Sequence, residues 1–196
     1  NWKAGIAGPV KHSAIFDGEE YDARELMGYD TPEKLSTPEE NKEFKGEILP
    51  TNGAEVYLRH DLTLSPVEAY TWKDVEGAKE NEFGKVVILQ KFAAGEPITV
   101  KAGETLVVDF GQNCAGIPSF EFKAKEGTVL TCLPGELLND GNGATSRGMD
   151  GPEGSVHRTN LRTPATAFLM KYTFGAGNKF VKYHPTRTFY GYRFAS

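Results

Sequence analysis

Apolar residues in this chain recur at every second position, and that period constrains the fold more than any other feature. Leu106, Val108 and Phe110 fall on one side of a strand, with Val107 and Asp109 on the other. Phe120 and Phe122 flank Glu121, and Leu130 and Cys132 flank Thr131. Near the end, Tyr190, Tyr192 and Phe194 alternate with Phe189, Gly191 and Arg193. Side chains alternate between the two faces of a strand, so this is the pattern of half-buried antiparallel strands. No long segment sustains a helical period. Ala102-Gly103-Glu104 and Glu126-Gly127-Thr128 each stand between two strand candidates, where glycine supplies positive φ at little steric cost.

Two segments compete with this reading. Ser65-Pro66-Val67-Glu68 and Thr37-Pro38-Glu39-Glu40 both resemble a capping box with proline at the first helical position. Val67, Ala69 and Thr71 alternate, and Tyr70 and Trp72 favour a strand, so the first segment reads as strand. The second lies in a charged stretch, Asp30 to Lys45, with too few apolar residues for a long helix. One exposed helical turn is expected there. Residues 1–50 are charge-rich and too short to carry a core of their own. They read as the C-terminal remnant of an upstream β-sandwich domain or as an N-terminal extension. Residues 51–196 hold nearly all the strand signal and read as a β-sandwich domain. The fold class is therefore all-β: an antiparallel β-sandwich, of jelly-roll or concanavalin-like type, with long loops.

Composition removes several functions. The net charge is −5 and the basic residues are scattered among acids, which argues against a nucleic-acid partner. The longest apolar run, Val86 to Leu89, has strand length and falls far short of the roughly 18 residues a membrane helix needs. The sequence opens at Asn1-Trp2-Lys3 without an initiator methionine or signal peptide, as though cut from a longer polypeptide. Two cysteines, Cys114 and Cys132, are too few for a disulfide framework. They are either buried free thiols or one disulfide. His12, His60, His157 and His184 lack paired metal-ligand spacing.

Several motifs occur in order along the chain. Gly8-Pro9 is followed by Asp17-Gly18-Glu19-Glu20-Tyr21-Asp22-Ala23-Arg24. Then come Val107-Val108-Asp109-Phe110-Gly111-Gln112-Asn113-Cys114-Ala115-Gly116 and Glu126-Gly127-Thr128 to Glu136-Leu137-Leu138. Asn160-Leu161-Arg162 and Phe189-Tyr190-Gly191-Tyr192-Arg193-Phe194 complete the series. Taken together and in this order, they resemble the bacterial α-L-rhamnosidases, glycoside hydrolase family 78. Tyr190 stands where histidine is common in that family.

The resemblance implies a multidomain exoenzyme in which β-sandwiches precede an (α/α)6 catalytic domain of the same polypeptide. It further implies a rhamnose-containing glycan as substrate and a secreted or periplasmic location. The chemistry implied is inverting hydrolysis, which needs two carboxylates about 6.5–9.5 Å apart. The acidic motif of the family's barrel is missing from these residues, so no catalytic residue is assigned. The chain reads as a non-catalytic accessory domain, with a carbohydrate-binding module as the alternative.

Two groups of polar residues stand out. Asp17, Glu19, Asp22 and Arg24 are the candidate carbohydrate-binding residues, since carboxylates can hold sugar hydroxyls or Ca²⁺. At strand spacing Asp17 and Glu19 share one face, and Asp22 and Arg24 share another. The competing reading is an Asp–Arg pair locking two strands. Asp109, Gln112, Asn113 and Arg193 are assigned a domain-interface or structural role, because Asn and Gln side chains satisfy backbone groups where a strand ends. No cofactor is expected beyond that Ca²⁺. The segment Asn139-Asp140-Gly141-Asn142-Gly143 opens a long polar loop reaching about Asn160. It lacks the alternating acids and terminal Glu of a calcium loop and reads as a turn. Trp2, Trp72, Tyr70 and Tyr190 are either core residues or a sugar-stacking platform.

Overall fold

A computed structural model describes residues 2–6, 8–25, 32–143, 149–159 and 169–196. Eleven strands are defined among them: β1 (Val10–Ala14), β2 (Gly18–Asp22), β3 (Glu68–Glu76), β4 (Lys85–Phe92), β5 (Thr105–Gly116), β6 (Phe120–Phe122), β7 (Val129–Cys132), β8 (Pro134–Gly135), β9 (Leu169–Thr173), β10 (Val181–Tyr183) and β11 (Tyr190–Ala195). The chain is an all-β sandwich. A five-stranded sheet runs β4-β3-β5-β11-β8, a four-stranded sheet runs β1-β2-β9-β7, and β10 pairs with β6.

The capping box at Ser65 opens strand β3, as its alternation predicts. The box at Thr37 forms no helix, and the helical turn of that stretch is a 3-10 turn at Pro32–Lys34 instead. Thr37–Glu40 contains no apolar residue to dock such a turn, and helix ends of this length are not self-supporting. One pairing departs from the antiparallel pattern: β2 and β9 run parallel, with Tyr21 opposite Tyr172. The rings of these two tyrosines stack at 5.5 Å and an interplanar angle of 2°. Strands β1 and β2, from the segment before residue 51, thus share a sheet with strands from the segment after it.

Two clusters of buried side chains fill the molecule. The first gathers Cys132, Met170, Tyr172, Phe174, Tyr183, Tyr190 and Tyr192, drawing on β7, β9, β10 and β11. Tyr172 is its hub, 4.6 Å from the Tyr183 ring and 5.1 Å from Phe174. Aromatic pairs at such spacings add to the burial of their area. The second gathers Tyr70, Val86, Val107, Val156 and Phe194, with Leu138 and Trp72 against it. It is covered by the loop carrying Leu138 and Val156, so the long polar loop also roofs a core.

Strict alternation along β11 would place Tyr190, Tyr192 and Phe194 together. Instead Tyr190 and Tyr192 enter the first cluster, Phe194 the second, and Ala195 the first again. The register slips between Tyr192 and Phe194, where Cys114 and Asp109 are their partners on β5. A bulge re-aims the side chains beyond it, which is why the period-two reading fails at this one residue.

Candidate functional site

Strand β2 carries the first polar group. Asp17 closes the turn into it, its N–H donating to the Ala14 carbonyl at 3.2 Å. Gly18 is held at φ 111, and a Cβ there would lie 1.8 Å from the Leu169 carbonyl oxygen. Only glycine fits this approach of β2 to β9. Glu19 follows, with 1% of its surface exposed. Its Oε1 accepts the Tyr183 hydroxyl at 2.5 Å, and its Oε2 accepts the Thr186 N–H at 3.1 Å and the Thr186 hydroxyl at 3.2 Å. Thr188 donates to the Ile15 carbonyl at 3.0 Å beside them. Glu19 thereby ties the loop after β10 to the β1–β2 hairpin. Burial and the Glu19 contact push the Tyr183 hydroxyl's pKa up, so Tyr183 stays a donor at every physiological pH.

The next carboxylate on the strand, Glu20, meets Lys171 across the parallel pairing at 2.7 Å. Asp22 ends β2, and Arg24 grips it through Nε at 2.9 Å and Nη2 at 2.6 Å. That side-chain grip, helped by the Arg24 backbone N–H at 3.0 Å, holds the Asp22 carboxyl at about 2. The pair joins residues two apart within one turn and does not bridge two strands. The four residues proposed from sequence do not converge on one point. Glu19 gives both oxygens to Tyr183 and Thr186, and Asp22 gives both to Arg24. Among the described residues no group of three or more His, Cys, Asp or Glu is placed to hold a metal.

The second group lies on the bulge of β5. Asp109 accepts Arg193 Nε at 2.9 Å and Nη2 at 2.8 Å, across the β5–β11 pairing. The same carboxylate accepts the Gly111 N–H at 2.7 Å. Arg193 is the largest cause holding the Asp109 carboxyl below its ordinary range; partial burial works against it and the Gly111 N–H with it. Gly111 sits at φ 80 against the Val67 side chain, 3.2 Å from where a Cβ would be. The Asp-Phe-Gly-Gln-Asn run is thus a bulge that turns back on its own aspartate and is clamped by an arginine from the last strand. Phe110 packs edge-on to Tyr192 at 5.5 Å. Gln112 and Asn113 are exposed, and Asn113 Nδ2 donates to Glu136 at 3.2 Å.

A third hub is absent from the sequence reading. Asn139 is buried; its Oδ1 accepts the Asp150 N–H at 3.2 Å and lies 3.1 Å from His157 Nδ1, and its Nδ2 donates to Ser155 at 2.9 Å. His157 Nδ1 also lies 3.2 Å from Asp150 Oδ1, so it faces two acceptors and carries the proton. Burial works to raise the Asp150 carboxyl, but donors from Thr159, Arg158 and Asn139–His157 outweigh it and hold it at about 2. The one legible signal was a lone histidine within a loop rich in Asn, Asp and Ser. Asn160-Leu161-Arg162 lies outside the described residues.

A shallow groove of about 530 Å³ lies between the β3–β4 hairpin and the Asp140–Asn142 turn. Glu76, Glu82, Asp140 and Glu153 line it. Glu82 pairs with Lys79 at 3.0 Å and Glu153 with Lys85 at 2.8 Å, while Asp140 accepts the Asn142 N–H at 3.1 Å. Of the aromatic candidates, Tyr70 and Tyr190 are core, Trp72 is half-buried and Trp2 is exposed. Both cysteines are free, and burial pushes the Cys132 thiol up to about 12.

The family described as "Bacterial alpha-L-rhamnosidase concanavalin-like domain" matches residues 98–196. An α-L-rhamnosidase of Alteromonas sp. (strain LOR) is 27% identical over 195 residues, covering 99% of this chain and 17% of the relative. One from Formosa agariphila is 25% identical over 194 residues, covering 98% of this chain and 16% of the relative. The chain therefore spans about a sixth of the length of these curated relatives. The solved α-L-rhamnosidase of Dictyoglumus thermophilum aligns with 96% of this chain and 17% of its own at 16% identity, with a TM-score of 0.46.

Proposed function

The chain belongs to the bacterial α-L-rhamnosidase concanavalin-like domain family, and from that premise we propose that it is a non-catalytic sandwich module of a larger α-L-rhamnosidase-like glycoside hydrolase. The observation that carries this reading is a mismatch of lengths: the alignments run along 99% and 98% of this chain but 17% and 16% of the two relatives. Most of such an enzyme lies elsewhere, and the proposed catalytic partner is an (α/α)6 domain of the same polypeptide. The module's own carboxylates support the division of labour. Glu19, Asp22 and Asp109 are each committed to donors within the fold. Inverting hydrolysis asks instead for one protonated and one ionised carboxyl about 6.5–9.5 Å apart across a sugar. The parent's proposed substrate is a glycan with terminal α-L-rhamnose, met outside the cytoplasm.

The test is hydrolysis of an aryl α-L-rhamnoside by the purified chain and by the full polypeptide, side by side. The full polypeptide turns the substrate over and the chain does not. Turnover by the chain alone overturns the reading, and so does an inactive full polypeptide. Co-sedimentation of the chain with a rhamnose-containing polysaccharide would replace the accessory role by that of a binding module.

A further inference from the structure

The segment between the 3-10 turn at Pro32–Lys34 and strand β3 differs in kind from the rest of the chain. Among the described residues, residues 46–58 exchange no hydrogen bond with any other part of the molecule. Every residue from 46 to 58 is exposed. Yet the composition is not that of a solvated linker. Phe44, Ile48, Leu49, Val56, Tyr57 and Leu58 all present large apolar side chains to solvent, with Ile48 at 91% and Val56 at 95% exposure. Disordered linkers are poor in such residues because they bury nothing. Large apolar side chains exposed along one segment mark a contact surface. The backbone is available too: among the described residues its N–H and C=O groups bond to no other part of the chain, and such groups can pair with another surface.

We propose that residues 44–58 are a docking strap, and that its occupant is the remainder of the same polypeptide. The inference rests on the reading of the chain as one module of a larger hydrolase. One observation chooses this occupant over a second copy or a separate protein. The relatives align through the strap, over 195 and 194 residues, so they carry it within single chains about six times as long. An apolar surface on the remaining five-sixths of the polypeptide fits this placement and the apolar side chains of the strap.

Hydrogen–deuterium exchange on the full polypeptide and on this chain tests the proposal. In the chain, amides 46–58 exchange at the rate of an open backbone. In the full polypeptide they are slowed at least roughly tenfold. A combined Ile48→Asp and Val56→Asp substitution abolishes that protection in the full polypeptide and leaves the chain's unfolding midpoint unchanged, since neither side chain is packed within it. Equally fast exchange in both molecules overturns the proposal. So does protection in the chain alone that rises with protein concentration, which would make a second copy the occupant. Rhamnoside turnover by the full polypeptide is scored separately. Turnover without strap protection defeats the strap and leaves the module reading standing; strap protection without turnover does the reverse.

Discussion

Two aspartate–arginine pairs in this chain have the same chemistry and different reach. Arg24 holds Asp22 through Nε and Nη2 at 2.9 and 2.6 Å. Arg193 holds Asp109 through the same two nitrogens at 2.9 and 2.8 Å. Both aspartates are pulled below their ordinary range. The first pair closes a turn of two residues, whereas the second spans 84 residues and fixes the bulge between β5 and β11. A contact between near neighbours forms in the unfolded chain as well, and so adds little to the difference between folded and unfolded states. A contact between distant residues exists only after folding. Geometry alone does not separate the two pairs; sequence separation does.

Glu19 extends the comparison to its limit, because its partners Tyr183 and Thr186 are 164 and 167 residues away and the carboxylate is buried. Glu19→Ala therefore has the largest expected effect. It strands the Tyr183 hydroxyl and the Thr186 N–H, at a cost on the order of 3 kcal/mol, read as a lower urea midpoint. Asp109→Ala comes next, at about 1 kcal/mol. The double-mutant cycle with Arg193→Ala returns a non-zero coupling. A cycle without coupling would break the contrast with Asp22.

Acid unfolding sharpens the same contrast. Asp109 has a lower pKa folded than unfolded, so the unfolded chain takes up its proton first as pH falls. Its stabilisation is complete above the unfolded carboxyl value of about 4 and fades as pH drops through the lower folded value. Asp109→Asn removes this part of the acid limb and leaves stability near neutral pH less sensitive to further acid. Asp22→Asn changes the acid limb less than the separation of its folded carboxyl alone suggests, because a pair two residues apart re-forms in part in the unfolded chain. The smallest effect is that of Asp22→Ala, for which no shift of the urea midpoint is expected.

How much of this was legible in the sequence follows the same division between near and far. Strands β5, β6, β7 and β11 were readable because side-chain alternation is a local property. The Asp109 run read as the end of a strand, but β5 continues through it to Gly116, with the bulge opposite Tyr192 and Phe194. Four features were not readable. The slip at Arg193 sends Phe194 into the second cluster, and nothing in Tyr192-Arg193-Phe194 announces it. The parallel pairing of β2 with β9 joins segments some 150 residues apart. Glu19 reads as one more acid in a charged run, yet it is buried, because its donors come from the loop after β10. Asn139, Asp150 and His157 read as loop residues for the same reason: each is identified only by the others' positions.

On the proposed function, the prominent polar residues of this chain serve its fold, and sugar chemistry belongs to the rest of the polypeptide. Amide NMR of the chain titrated with L-rhamnose and Ca²⁺ tests it most directly. The claim predicts unmoved resonances for Glu19, Asp22, Arg24 and Thr186 throughout the titration. Saturable shifts at those residues would contradict it.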